Sequence, residues 1–295
     1  MIALTRRRFL SLTTAATVAS TIGSRFAFAF PMGLPPGIQL YAVREPLAAD
    51  TPGTLKAVHD IGFREVESAG FGKYSATEFS KLISDAGLKC PSAHLPFKMD
   101  GDLGPVFADA NALGAHYATS SIMPAIFNTE GPTPDPDRFK KTAARMNEIG
   151  RAAKAAGLQY AYHNHNPEFD RVADGSYGYD TLLRETDHDL VKFEVDCGWM
   201  SVAGVKPQDF FAKYPGRFRM LHVKDFKPRT PTTDVRGANR PVGVELGHGF
   251  IDYKPIFAAG RAAGIEHAFA EQEAPYVRSQ LDSAKVSYDY FASFS

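Results

Sequence analysis

Cysteine is scarce in this chain, tryptophan scarcer still, and net charge is missing altogether. Two cysteines, Cys90 and Cys197, cannot build a disulfide framework, and both sit in apolar, strand-like runs that suit buried free thiols. Thirty-three basic residues balance 33 acidic ones, so the overall charge marks neither a nucleic-acid binder nor a membrane-surface protein. After the first 29 residues no apolar run is long enough to cross a bilayer, which argues against a membrane anchor. No G-x-G-x-x-G follows the first strand-like run, and a dinucleotide fold loses its fingerprint. What the 295 residues do hold is aromatic side chains, 22 Phe and 12 Tyr. Together with the neutral charge, they suit a small carbohydrate partner. A homo-oligomer stays open.

The N-terminus reads as an address. "TRRRFLSL" precedes an uncharged apolar run through Ile22, and Ala27-Phe28-Ala29 offers small residues for signal-peptidase cleavage. The pattern is similar to a twin-arginine signal, with Arg6 and Arg7 as the pair. Residues 1–29 are therefore expected to be removed, residues 30–36 to be a linker, and the product to work in the periplasm.

From Gly37 onward one unit recurs. "HDIGFREVE", "SDAGLKCPS", "NALGAHYAT", "KAAGLQYAY" and "RAAGIEHAF" each close a helical pattern with a glycine and open an apolar run. With "GIQLYAV", "LVKFEVDCGW" and "GRFRMLHVKDF" the strands number eight. Helices are expected near 51–61, 76–86, 104–113, 137–156, 178–185, 206–213, 253–263 and 276–293. Strict alternation means parallel strands, and eight of them predict a closed (β/α)₈ TIM barrel over residues 37–295.

A TIM barrel keeps its chemistry at the C-terminal ends of its strands. Those ends carry His94, His163, His165, Glu168, Glu194, Asp196, His222, Glu271 and Glu273. Because side chains alternate along a strand, His163 and His165 share one side, as do Glu194 and Asp196. Mixed imidazole and carboxylate ligands suit Mn²⁺, Zn²⁺, Co²⁺ or Fe²⁺ better than Ca²⁺ or Mg²⁺. His94 is a candidate substrate contact at this mouth. Trp199, three residues after Asp196, is a candidate sugar-stacking face, and Lys224, two after His222, a candidate hydroxyl or oxyanion contact.

The strand endings "YHNHNPEF", "FEVDCGW", "LHVKDF" and "AFAEQE", with "GIQLYAVRE" and "LGHGFIDYKPIFAAGRAAG", resemble the sugar phosphate isomerase/epimerase family of xylose-isomerase-like barrels across about residues 36–293. The resemblance implies one divalent metal held in the order Glu, Asp, His, Glu, and Asp196, His222 and Glu271 fill the last three places. For the first place the family spacing lands on His163, while Glu168 lies five residues on. Glu168 is preferred because a carboxylate preserves the family's charge, and His163 then touches substrate.

The mechanism this implies is proton transfer beside a carbonyl through an enediolate, with Glu168 and Glu271 as the acid/base pair and His165 or His94 as proton shuttle. The expected activity is isomerisation or epimerisation of an unphosphorylated keto-sugar. One alternative is a metal-dependent lyase or hydrolase of keto-glycosides, since an exported protein meets glycosides. Another is a non-catalytic sugar-binding protein, which has no need of facing carboxylates and a metal. A likeness to endonuclease IV is set aside by the neutral charge and the leader.

Overall fold

The computed structural model describes residues 30–98, 100–127 and 137–294. The predicted leader, residues 1–29, lies outside the described residues. The segment expected as a linker rests on the barrel: Pro31 is buried and the Phe30 ring lies 5.3 Å from that of Tyr288.

Eight parallel strands close into a barrel in the order β1-β10-β7-β6-β5-β4-β3-β2. They are β1 (Gly37–Gln39), β2 (Glu65–Ser68), β3 (Lys89–His94), β4 (Tyr117–Ser120), β5 (Gln159–His163), β6 (Val191–Asp196), β7 (Phe218–Val223) and β10 (His267–Ala270). A short antiparallel pair, β8 (Asp225–Phe226) and β9 (Gly243–Val244), stands apart at the top. The predicted TIM barrel is the observed fold. The expected helices appear at Thr51–Ile61, Ala76–Asp85, Gly104–Leu113, Arg138–Ala155, Gly178–Glu185, Pro207–Lys213, Tyr253–Ala263 and Gln280–Ala292. Several start on side-chain caps, such as Asp50 accepting from Gly53 N and Ser279 accepting from Asp282 N.

Two strands end earlier than their apolar runs suggest. After Gln39 the chain turns into a 3₁₀ helix, Leu40–Val43, and after Asp196 it enters a short helix, Cys197–Val202. In both places a side chain at the strand end caps the helix, so the residue that closes the barrel also starts the next element. Both cysteines are buried and free. Among the described residues no helix is long and apolar enough to cross a membrane.

The barrel interior has two layers of opposite character. At the bottom Tyr117, Ala161, Met220 and Phe269, one from each of four strands, form a closed apolar plug. One step further up the same strands the inward residues are Thr119, His163, His222 and Glu271, all polar.

Candidate active site

The polar layer is one connected cluster. His163 bonds the Glu194 carboxylate through Nδ1 at 3.0 Å, and its Nε2 lies 3.6 Å from Asp196 Oδ2. His222 bonds Glu67 through Nε2 at 2.6 Å and Glu271 Oε2 through Nδ1 at 2.8 Å. His94 Nε2 sits 2.8 Å from Glu194 and 3.1 Å from Glu67. Asp196 spends its other oxygen, Oδ1, on capping the helix that begins at Cys197, taking the Trp199 N–H at 2.7 Å. Gln39 and Ser92 donate to Glu67 from the neighbouring strands.

This pattern separates the atoms free to hold a cation from those that orient them. Glu194 occupies one nitrogen of His163 and Glu67 one nitrogen of His222, which leaves the other nitrogens facing Asp196 and Glu271. A carboxylate behind a ligating imidazole is the usual way to fix its orientation and raise its basicity. Asp196, His222 and Glu271 bring one donor atom each within 4.8 Å of one another, and so do His94, His163, Glu194 and His222. Buried Glu194 Oε1 lacks a hydrogen-bond partner, and Asp196 Oδ2 is met by the Lys224 ammonium at 2.9 Å and faces His163 Nε2 at 3.6 Å. Buried carboxylate oxygens among imidazoles are the donor set a divalent transition ion requires, so the residues fit a metal. His163, Asp196, His222 and Glu271 would hold it, with Glu194 and Glu67 behind them.

Electrostatics follow from burial and crowding, in the cluster without a cation. Burial alone would lower His94, but Glu67 and Glu194 outweigh it and raise the imidazole to about 9. His222 is raised in the same way. Burial, helped by neighbouring imidazoles, drives His163 well down, and burial with Lys224 takes His165 to about 3. Burial lifts Asp196 to about 6 despite Lys224 and His222. For Glu271 the balance reverses: Lys224 and His222 overcome burial and hold it ionised.

Above the cluster opens a cavity of about 660 Å³. His94, His163, His165, Trp199 and Glu271 line it, so five of the predicted site residues share one space. Trp199 is nearly all buried, its ring 4.9 Å from Phe226 and 5.7 Å from His165, and it offers the cavity only an edge of wall.

Two assignments need correction. Glu168 does not reach the cluster. Its Oε1 accepts from the Tyr162 hydroxyl at 2.5 Å, and Tyr162 points away from the barrel axis, opposite to His163 beside it. The chain after His165 turns through a 3₁₀ helix, Pro167–Phe169, that carries the glutamate behind the strand. Of the two, His163 is the one the fold brings into the cluster. Lys224, expected as a substrate contact, is enclosed instead. Its ammonium lies 2.9 Å from Asp196, 2.6 Å from Glu271 and 3.3 Å from Glu273, and it is 1% exposed. A Cβ at Gly198 would stand 2.4 Å from Lys224 Cγ, so glycine is what lets the lysine lie there.

Glu67 is the residue the sequence reading overlooked. It stands one residue before the end of the second strand in "REVES", two residues after Glu65, and the strand-end rule applied there as elsewhere would have found it. Glu194 was visible at its strand end, but its role behind His163 was not.

Comparison with known proteins agrees with this fold. A family described as xylose isomerase-like TIM barrel matches residues 55–291. An inosose dehydratase of Lacticaseibacillus casei is 23% identical over 73% of this chain and 71% of its own length. A sugar phosphate isomerase/epimerase from Parabacteroides distasonis superposes with a TM-score of 0.71 at 27% identity, covering 86% of this chain and 96% of that one. The IolI protein, solved with a binding zinc atom, shares the fold at a TM-score of 0.69 and 11% identity over 88% of this chain and 98% of that one. The first two are named for enzymes, in line with the expectation of an enzyme. With its closed barrel, its strand-end cluster and this match, the chain belongs to the xylose isomerase-like TIM barrel family.

Proposed function

We propose that the protein is a metal-dependent lyase that removes a proton next to the carbonyl of a keto-sugar or keto-polyol and expels a group β to that carbonyl. The observation that carries it is a carboxylate and an imidazole, Glu271 and His94, lining one cavity beside residues that fit a metal. The relative named inosose dehydratase favours elimination over the isomerisation first expected.

A divalent metal, when bound, would polarise the substrate carbonyl and so acidify the neighbouring carbon. Glu271 accepts the carbon-bound proton. His94 makes its close contacts through Nε2, which leaves Nδ1 to give a proton to the departing oxygen. A carbon–hydrogen and a carbon–oxygen bond break, a carbon–carbon double bond forms, and no oxidant is needed. His165, neutral and with an unpartnered Nδ1, accepts a substrate hydroxyl.

The test is incubation of the metal-loaded protein with a keto-cyclitol and with para-nitrophenyl glucoside oxidised to its ketone. Release of water or nitrophenol with appearance of an unsaturated ketone is the expected result. Deuterium uptake from D₂O without release restores the isomerase/epimerase reading, which the Parabacteroides likeness supports. Absence of both refutes an enzyme of this class. We further propose export on the twin-arginine route, and replacing Arg6 and Arg7 by lysine should leave the precursor in the cytoplasm.

A further inference from the structure

The segment between β8 and β9, residues 227–242, arches beside the cavity and is tied down by buried groups. Asn166 is fully buried and donates its side-chain amide to the carbonyls of Thr232 at 3.0 Å and Asp234 at 3.2 Å. The Asp234 carboxylate takes the backbone N–H groups of Arg236 at 3.0 Å, Gly237 at 2.5 Å and Asn239 at 2.9 Å. A Cβ at Gly237 would lie 2.6 Å from Asp234 Oδ2, so this knot needs glycine. Its product is that Val235 and Arg236 join the cavity wall, the Arg236 guanidinium 5.7 Å from the Phe127 ring.

The cations around the cavity differ in what they have left to give. Lys224 is enclosed by three carboxylates, and Arg240 is paired with Glu273 at 3.0 Å. Arg236 has no carboxylate partner among the described residues. It lines the cavity beside Val235 and near the Phe127 ring. A space of about 660 Å³ accepts a ligand larger than one sugar ring.

We infer that Arg236 recognises a carboxylate on a substrate group that reaches the Phe127 side of the cavity. A planar guanidinium beside an aromatic wall binds a carboxylate through two parallel N–H donors.

The test uses two unoxidised probes, phenyl β-D-glucoside and para-carboxyphenyl β-D-glucoside, titrated calorimetrically into the metal-loaded protein. We expect the carboxylated probe to bind about tenfold tighter, an effect on the scale of a charge-assisted hydrogen bond. Arg236→Gln should erase that preference and leave phenyl glucoside binding unchanged, while Arg240→Gln keeps it. No preference in the native protein, a preference that survives Arg236→Gln, or no binding of either probe overturns the inference. Because neither probe is a ketone, the result is independent of which reaction the enzyme performs.

Discussion

The two faces of strand β5 hold the same kinds of side chain and put them to different ends. On the inner face His163 is one of seven imidazole and carboxylate groups that hold one another by short contacts. On the outer face Tyr162 and Glu168 form an isolated pair, with Glu168 Oε2 buried and unpartnered. Inside the cluster Glu271 gains from Lys224 and His222 and stays ionised, while burial raises Asp196 to about 6 and Glu194 to about 7. Glu168, behind the strand, has no cation beside it, and burial raises it to about 7. The side of the sheet a residue faces thus decides which partners it reaches, and the nearest cation decides whether burial wins.

The sharpest way to break this comparison is His163→Ala set beside Glu168→Gln. The alanine variant should lose bound metal on dialysis and at least about a hundredfold in turnover, because deleting a ligand exceeds the 10- to 100-fold cost of deleting its support. The glutamine variant should keep both. Metal loss in Glu168→Gln, with retention in His163→Ala, would return the first ligand place to Glu168.

A smaller effect concerns pH. Glu168 is normally near 4.5 and is raised to about 7 in the folded protein. Between those values the unfolded chain has released a proton that the folded chain still binds. Its contribution to stability is therefore complete below about pH 4.5 and is lost as pH rises to about 7. The full loss is of the order of 3 kcal/mol, from 1.36 kcal/mol per unit. Denaturant titrations from pH 4.5 to 7.5 should show the native protein weakening relative to Glu168→Gln. Parallel curves would sink the buried-acid reading.

The smallest effect expected is from Tyr162→Phe. Removing the one hydroxyl that bonds Glu168 Oε1 should cost about 1–3 kcal/mol and raise the carboxyl further, leaving metal content unchanged. A change in metal content would mean that the two faces communicate through the strand.

Much of this molecule was legible before any coordinates. Glycines closing each helical pattern and the apolar run after each of them specify local conformation, and local conformation repeated eight times admits few closed arrangements. Strand-end residues such as Asp196, His222 and Glu271 were legible for the same reason, since a barrel presents its strand ends together. His163 against Glu168 was not, because the two lie five residues apart across a turn whose path depends on what packs behind β5. Glu67 lay within reach of the strand-end rule, but its partner was not legible: His222 is 155 residues away. The roles of Lys224 and Arg236 depend on which carboxylates surround each cation, and that is a property of packed space. By itself, then, the sequence determined the order of elements, the barrel and the strand ends that meet at its mouth. Only the tertiary structure decided which donors face inward, which are held from behind and which cavity cation has no carboxylate partner among the described residues, because those depend on contacts between side chains that the chain brings together only when the barrel closes.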